Sequence, residues 1–187
     1  MSPRAKFNTG NEAAARMAAK RAAKMVTNVS KSTEKALRTV ITSSLRKGLS
    51  TYDTARLIKT LIGLTAPQSQ AALTYRQSLI DAGLPLDKVV KATDRYADKL
   101  LTDRGENIAR TEVMEFLNSG QEAAWHQAQE EGLLSPTATK GVVLSHDPCE
   151  KCIEIAARGP VPIAEEFDED GPPFHNRCEC TIEIVDA

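Results

Sequence analysis

The sequence predicts a mainly α protein: a helical body followed by a small C-terminal α+β module of two or three short strands, stapled by a Cys/His cluster. Three observations carry this. Between Lys35 and Glu131, apolar residues recur at helical spacing, punctuated by cap-like starts and glycine stops. After Gly132 the texture changes to short β-type runs broken by proline. All four cysteines fall in that last stretch, as Cys149-x-x-Cys152 and Cys178-x-Cys180. The expected organisation is a basic Ala-rich helical arm over 1–47, a helical body over 48–134 and a Cys/His module over 135–187.

The arm stands out by charge. Residues 1–47 carry eleven Lys or Arg against Glu12 and Glu34, a net +9, whereas residues 147–187 carry eleven acids against three bases, a net −8. In "NEAAARMAAKRAAKM", alanine favours helix and Asn11 can cap its start. Arg16, Lys20 and Lys24 recur every four residues as one stripe, with Arg21 beside it. Like charges at that spacing repel, and a polyanion laid along them removes the repulsion and releases counterions. These four residues are the candidate nucleic-acid contacts; a merely solvated basic helix is the plain alternative.

Elements follow in order. Leu37, Val40, Ile41, Ser44 and Leu45 trace a helical face that stops near Gly48. Ser50 and Asp53 resemble a capping box opening a short helix that runs to Gly63. "TAPQ" places Thr65 at a cap, Pro67 in the first turn and Gln68 at the third position, with the helix ending at Gly83. Another helix starts near Leu86, and Gly105 is expected to break or bend it. "ENIARTEVMEFLNSGQEAAW" continues as one or two helices, with Ile108, Ala109, Val113, Phe116 and Leu117 inward and Arg110 pairing with Glu106 one turn back. "KGVVLSHD", "GPVPI" and "CECTIEIVD" supply the short strands; the last alternates Cys180, Ile182 and Ile184 on one face.

Two close pairs of soft ligands separated by a loop, with His175 three residues before Cys178, suit a tetrahedral structural zinc site. A small module short of large apolar residues gains most from such a cross-link. The expected ligands are Cys149, Cys152, His175 and one of Cys178 or Cys180, with four cysteines as the variant. Two disulfides, or four buried thiols, are the competing readings.

Several chemistries fail on inspection. A zinc deaminase needs His-x-Glu, and neither His126, His146 nor His175 is followed by that glutamate. "CEKC" lacks the strong following helix of a βαβ redox unit, and "FDEDGPP" lacks the ligands of an EF-hand. No nucleophile or general base accompanies Arg110 and Glu112, so no enzyme activity is expected. No apolar run approaches the ~18 residues of a membrane helix, and no membrane partner is expected.

Four segments, in order, resemble the Mu F-like head morphogenesis proteins, minor capsid proteins of tailed bacteriophages. They are "GLTAPQSQAALTYRQSLIDAG", "DRGENIARTEVMEFLNSGQEAAW", "HDPCEKC" and "PPFHNRCEC". The family pattern maps onto Ile108, Ala109, Arg110, Thr111 and Glu112, then Asp147, Cys149 and Cys152, then Pro172, Pro173, His175, Cys178 and Cys180. Asp147 is expected to cap or turn the chain and so orient the first cysteine pair. The resemblance implies a structural part in capsid assembly or in genome packaging and delivery. Its partners would be the portal protein, a major capsid or scaffold protein, and packaged DNA at the arm. Its place would be the capsid interior or portal vertex, after assembly in the host cytoplasm. A nucleic-acid-binding zinc module is the alternative, and a zinc hydrolase or nuclease ranks third.

Overall fold

Helix starts and stops written into the sequence become the joints of the helical body. The structure is a computed structural model that describes residues 31–169 and 171–185. Arg16, Lys20, Arg21 and Lys24 lie outside the described residues. Helix α1, Lys31–Arg46, buries Leu37, Ile41 and Ser44 and ends before Gly48, whose φ of 66° favours glycine. Ser50 caps α2, Thr51–Lys59: its Oγ accepts from the Asp53 N–H at 3.1 Å and donates to Asp53 Oδ2 at 2.7 Å. This helix stops short of the expected Gly63, at a C-cap Thr60 whose hydroxyl donates to the Leu57 carbonyl at 2.7 Å.

Helix α3, Ala66–Asp81, opens on a full capping box. The Thr65 N–H donates to Gln68 Oε1 at 3.0 Å, and Thr65 Oγ1 accepts from the Gln68 N–H at 3.4 Å. Thr65→Ala is therefore expected to destabilise α3 by about 1 kcal/mol. Hydrogen-exchange protection of the first turn would fall first, and unchanged protection there would contradict the capping role.

Helix α4, Leu86–Glu130, runs for 45 residues without interruption. The break expected at Gly105 is absent. Glycine weakens a helix by about 1 kcal/mol relative to alanine, but here its missing side chain has a use. A Cβ on Gly105 would stand 3.2 Å from the Ala55 carbonyl oxygen, so glycine lets α2 lie directly on α4. Arg104 reinforces that seam by donating to the Gly63 carbonyl. Leu37, Ile41, Ala55, Ile58, Ile62 and Ala109 close into one apolar cluster there.

Beyond Gly132 the chain builds a three-stranded antiparallel sheet in the order β2-β1-β3. Its strands are β1, Thr139–Val143, β2, Val161–Pro162, and β3, Thr181–Ile184. Val142 pairs with Ile182 and Lys140 with Val161. Cys180 and Ile182 are buried and Ile184 packs against the same core, as the alternation predicts. Helix α5, Glu150–Ala157, lies between β1 and β2 and buries Cys152 and Ile155. This corrects the expectation of no firm helix at "CEKC": two apolar anchors a turn apart suffice once a core receives them. The strands flanking α5 are antiparallel, so the unit is still not the parallel βαβ of a redox fold. The second apolar cluster joins Trp125 of α4 to Ile155, Ile163, Phe167 and Phe174. Both clusters are thus strung along a single helix. No described helix is long and apolar enough to cross a membrane.

Candidate metal centre

Cys149 is the N-cap residue of α5, and Cys152 sits in its first turn, so both sulfurs leave the start of one helix. His175 and Cys178 are joined by a tight turn in which the Cys178 N–H donates to the His175 carbonyl at 3.1 Å. Between them Arg177 takes the left-handed conformation, with φ 64°. Cys180 follows immediately before β3.

These turns bring the five predicted ligands together. His175 Nε2 stands 3.2 Å from Cys149 Sγ and 3.3 Å from Cys152 Sγ. Cys152 Sγ stands 3.7 Å from Cys178 Sγ. Two triads result, Cys149–Cys152–His175 and Cys152–Cys178–Cys180, each with all donor atoms within 4.8 Å of one another. Cys152 belongs to both. Two sulfurs ~2.3 Å from a tetrahedral ion lie about 3.8 Å apart, so the Cys152–Cys178 spacing fits one edge of such a site. His175 Nδ1 lies 2.8 Å from the Asn176 carbonyl; a proton there makes that bond and leaves the Nε2 lone pair facing the sulfurs. All four cysteines are free thiols, and 3.7 Å is far beyond the ~2.05 Å of a disulfide. The donor set is therefore close enough, and soft enough, to hold a metal ion.

The thiols differ in acidity. The Cys152 N–H, at the start of α5, holds the exposed Cys149 thiol below its ordinary value. Burial pushes Cys152 and Cys178 up. A cation among the sulfurs would oppose that burial effect and favour thiolates.

The module is fastened to α4 through residues of the "IARTE" segment. Thr111 Oγ1 donates to the Asn107 carbonyl and accepts from the Arg177 N–H, both at 2.9 Å. Arg110 pairs with Glu179 at 3.3 Å rather than with Glu106, a correction to the one-turn pairing. The segment between Cys178 and β3 brings a carboxylate distant in sequence to Arg110. Glu112 is fully buried. Asp147 is exposed, and the N-cap of α5 is Cys149 with no side-chain cap bond, so the expected capping by Asp147 is not seen.

Sequence reasoning missed three residues on the same helix. Asn118 Nδ2 donates to the Cys180 carbonyl at 3.2 Å, and its Oδ1 accepts from Thr181 at 2.8 Å. Gln121 Nε2 donates to the Ile182 carbonyl at 2.7 Å. Trp125, almost fully buried, anchors the module's core. Polar residues at 118 and 121, one turn apart beside an apolar stripe, were the available signal. In comparisons with protein-family models, curated proteins and solved structures, the chain matches none.

Proposed function

We propose that this chain is a minor head, or head morphogenesis, protein of a tailed bacteriophage, with a structural rather than catalytic role. The observation that carries this reading is the joint between α4 and the cysteine module. Arg110 and Thr111, from the "IARTE" segment, meet Glu179 and Arg177, from the "HNRCEC" segment. The segments that resemble the family are thus spent on holding two parts of one fold together. Such a joint suits a protein whose work is to present surfaces.

In this reading the metal is a structural zinc bound by Cys149, Cys152, His175 and Cys178. Cys178 is preferred over Cys180 because of its 3.7 Å spacing to Cys152 and its turn-linked neighbour His175. The ion would close the loop between the two chelates. The helical body would contact the portal protein and a major capsid or scaffold protein. Arg16, Lys20, Arg21 and Lys24 would neutralise packaged DNA. The chain would reside at the capsid interior or portal vertex, after assembly in the host cytoplasm.

Copurification decides the matter. The protein is expected in purified procapsids and particles, and recovered with portal assemblies. Its absence from all of these would sink the proposal. DNA binding whose steep salt dependence survives deletion of residues 1–30, in a protein absent from particles, would instead favour a nucleic-acid-binding zinc module.

A further inference from the structure

Helices α3 and α4 form a hairpin whose inner and outer surfaces differ in an informative way. Gln68 Nε2 donates to the Leu100 carbonyl at 3.2 Å, and the Tyr75 and Tyr96 rings lie 4.8 Å apart, so the helices run antiparallel. Helix α3 packs on α4 and on no other element to a comparable extent, and Ala72 is its one buried residue. Val89 is the matching buried residue on α4. Short helices with so little burial are marginal on their own.

Three inward positions are each followed by an exposed apolar residue. Leu73 follows Ala72, Ile80 follows the half-buried Leu79, and Val90 follows Val89; they are 57%, 43% and 43% exposed. One residue turns a helix by about 100°. In an antiparallel pair that rotation carries both helices' outer residues to the same side. Leu86, 65% exposed and one turn before Val90, joins them. The hairpin therefore has one apolar face built by both helices. The same rotation sets Arg76, after Tyr75, and Asp94, after Thr93, on that face at nearly the same level. Both are exposed, and neither has an ion-pair partner among the described residues.

We propose that this face docks a second copy of the chain. A two-fold axis running along the hairpin lays α3 of one copy over α4 of the other. Ile80 then meets the other copy's Val90, and each Arg76 meets the other copy's Asp94. The alternative two-fold, across the hairpin at the level of Arg76, stacks Arg76 on Arg76 and Asp94 on Asp94 and is disfavoured by like charge. The side-by-side opposite charges thus select one orientation and make the face self-complementary. A 16-residue helix is about 24 Å long and two helices span ~20 Å, so the contact covers roughly 500 Å² per copy. That lies at the lower limit of specific interfaces, and the dimer is accordingly weak and concentration-dependent.

The test is sedimentation equilibrium of the full chain, reduced and zinc-replete, from low to several hundred micromolar. Monomer passing to dimer is expected across that range. Ile80→Asp is expected to weaken association about tenfold or more, with circular dichroism unchanged because the side chain is exposed. Arg76→Asp and Asp94→Arg are each expected to weaken it severalfold, and their combination to restore it. A chain that stays monomeric throughout would overturn the proposal. So would a dimer indifferent to Ile80→Asp, or charge reversals that fail to rescue each other. None of these outcomes depends on whether the protein is found in phage particles.

Discussion

Cys152→Ser is expected to abolish the proposed zinc binding and unfasten the C-terminal module. Cys152 belongs to both donor triads, and it is buried in the module's own core at 1% exposure. Serine supplies neither a thiolate nor the apolar contact. Structural zinc in small modules carries about 10–16 kcal/mol of apparent binding free energy, comparable to or larger than the stability of a whole domain. The module also leans on α4 through Asn118 and Gln121, so the net loss is smaller than that limit, yet large enough to disorder it. Zinc is expected to fall from about one ion per chain to none. Trp125, the protein's one tryptophan, lies in the same cluster as Cys152 and reports the change as red-shifted emission. A strong chelator acting on the unmodified chain should reproduce both effects. Cys180→Ser, outside the proposed ligand set, is expected to keep the ion. A Cys152→Ser protein with a full equivalent of zinc and native emission would remove the staple from the account.

Glu122→Leu is expected to destabilise the same module by about 3 kcal/mol, because it strands a buried cation. Lys140, on the central strand, is 1% exposed; its ammonium pairs with Glu122 and lies 5.3 Å from the centre of the Phe167 ring. Removing one member of a buried pair costs about 3–5 kcal/mol. Glu122 retains 17% side-chain exposure, so some water reaches the site and the lower end applies. Replacing both partners, as Glu122→Leu with Lys140→Met, is expected to recover most of the loss, since two apolar side chains of similar size need no counter-charge. Denaturant midpoints followed by Trp125 emission separate the cases. A single variant within about 0.5 kcal/mol of the parent, the range of an ordinary surface change, would show the pair to be incidental.

Local signals were read correctly where local physics decides. Ser50, Thr65, Gly48 and Gly83 act on their own turns, and the structure puts each where its chemistry belongs. The alternation of Cys180, Ile182 and Ile184 worked because a half-buried strand shows period two in any context. The cysteines and His175 were legible as a donor cluster, because close spacing already fixes each chelate. What failed depended on distant partners. Gly105 weakens a helix when seen alone, and only the arrival of Ala55 gives its missing Cβ a purpose. Arg110 had a plausible local partner in Glu106, and the segment leading into β3 was needed to offer Glu179. Lys140 reads as a polar residue on a short strand, and nothing local tells that Glu122 and Phe167 will enclose it. Asp147 is the purely local exception: expected to cap or turn the chain, it stands exposed in the bend before α5 and leaves the N-cap to Cys149.

The unbroken course of α4 has a mechanical consequence. Forty-five residues at 1.5 Å each make a rod about 67 Å long, with the hairpin tip at one end and Trp125 near the other. The one residue at which it was expected to flex, Gly105, is clamped beneath α2. No break in the helix separates Leu86 from Trp125. One continuous helix therefore links the hairpin tip to the core of the cysteine module, and a displacement at one end is expected to be felt at the other.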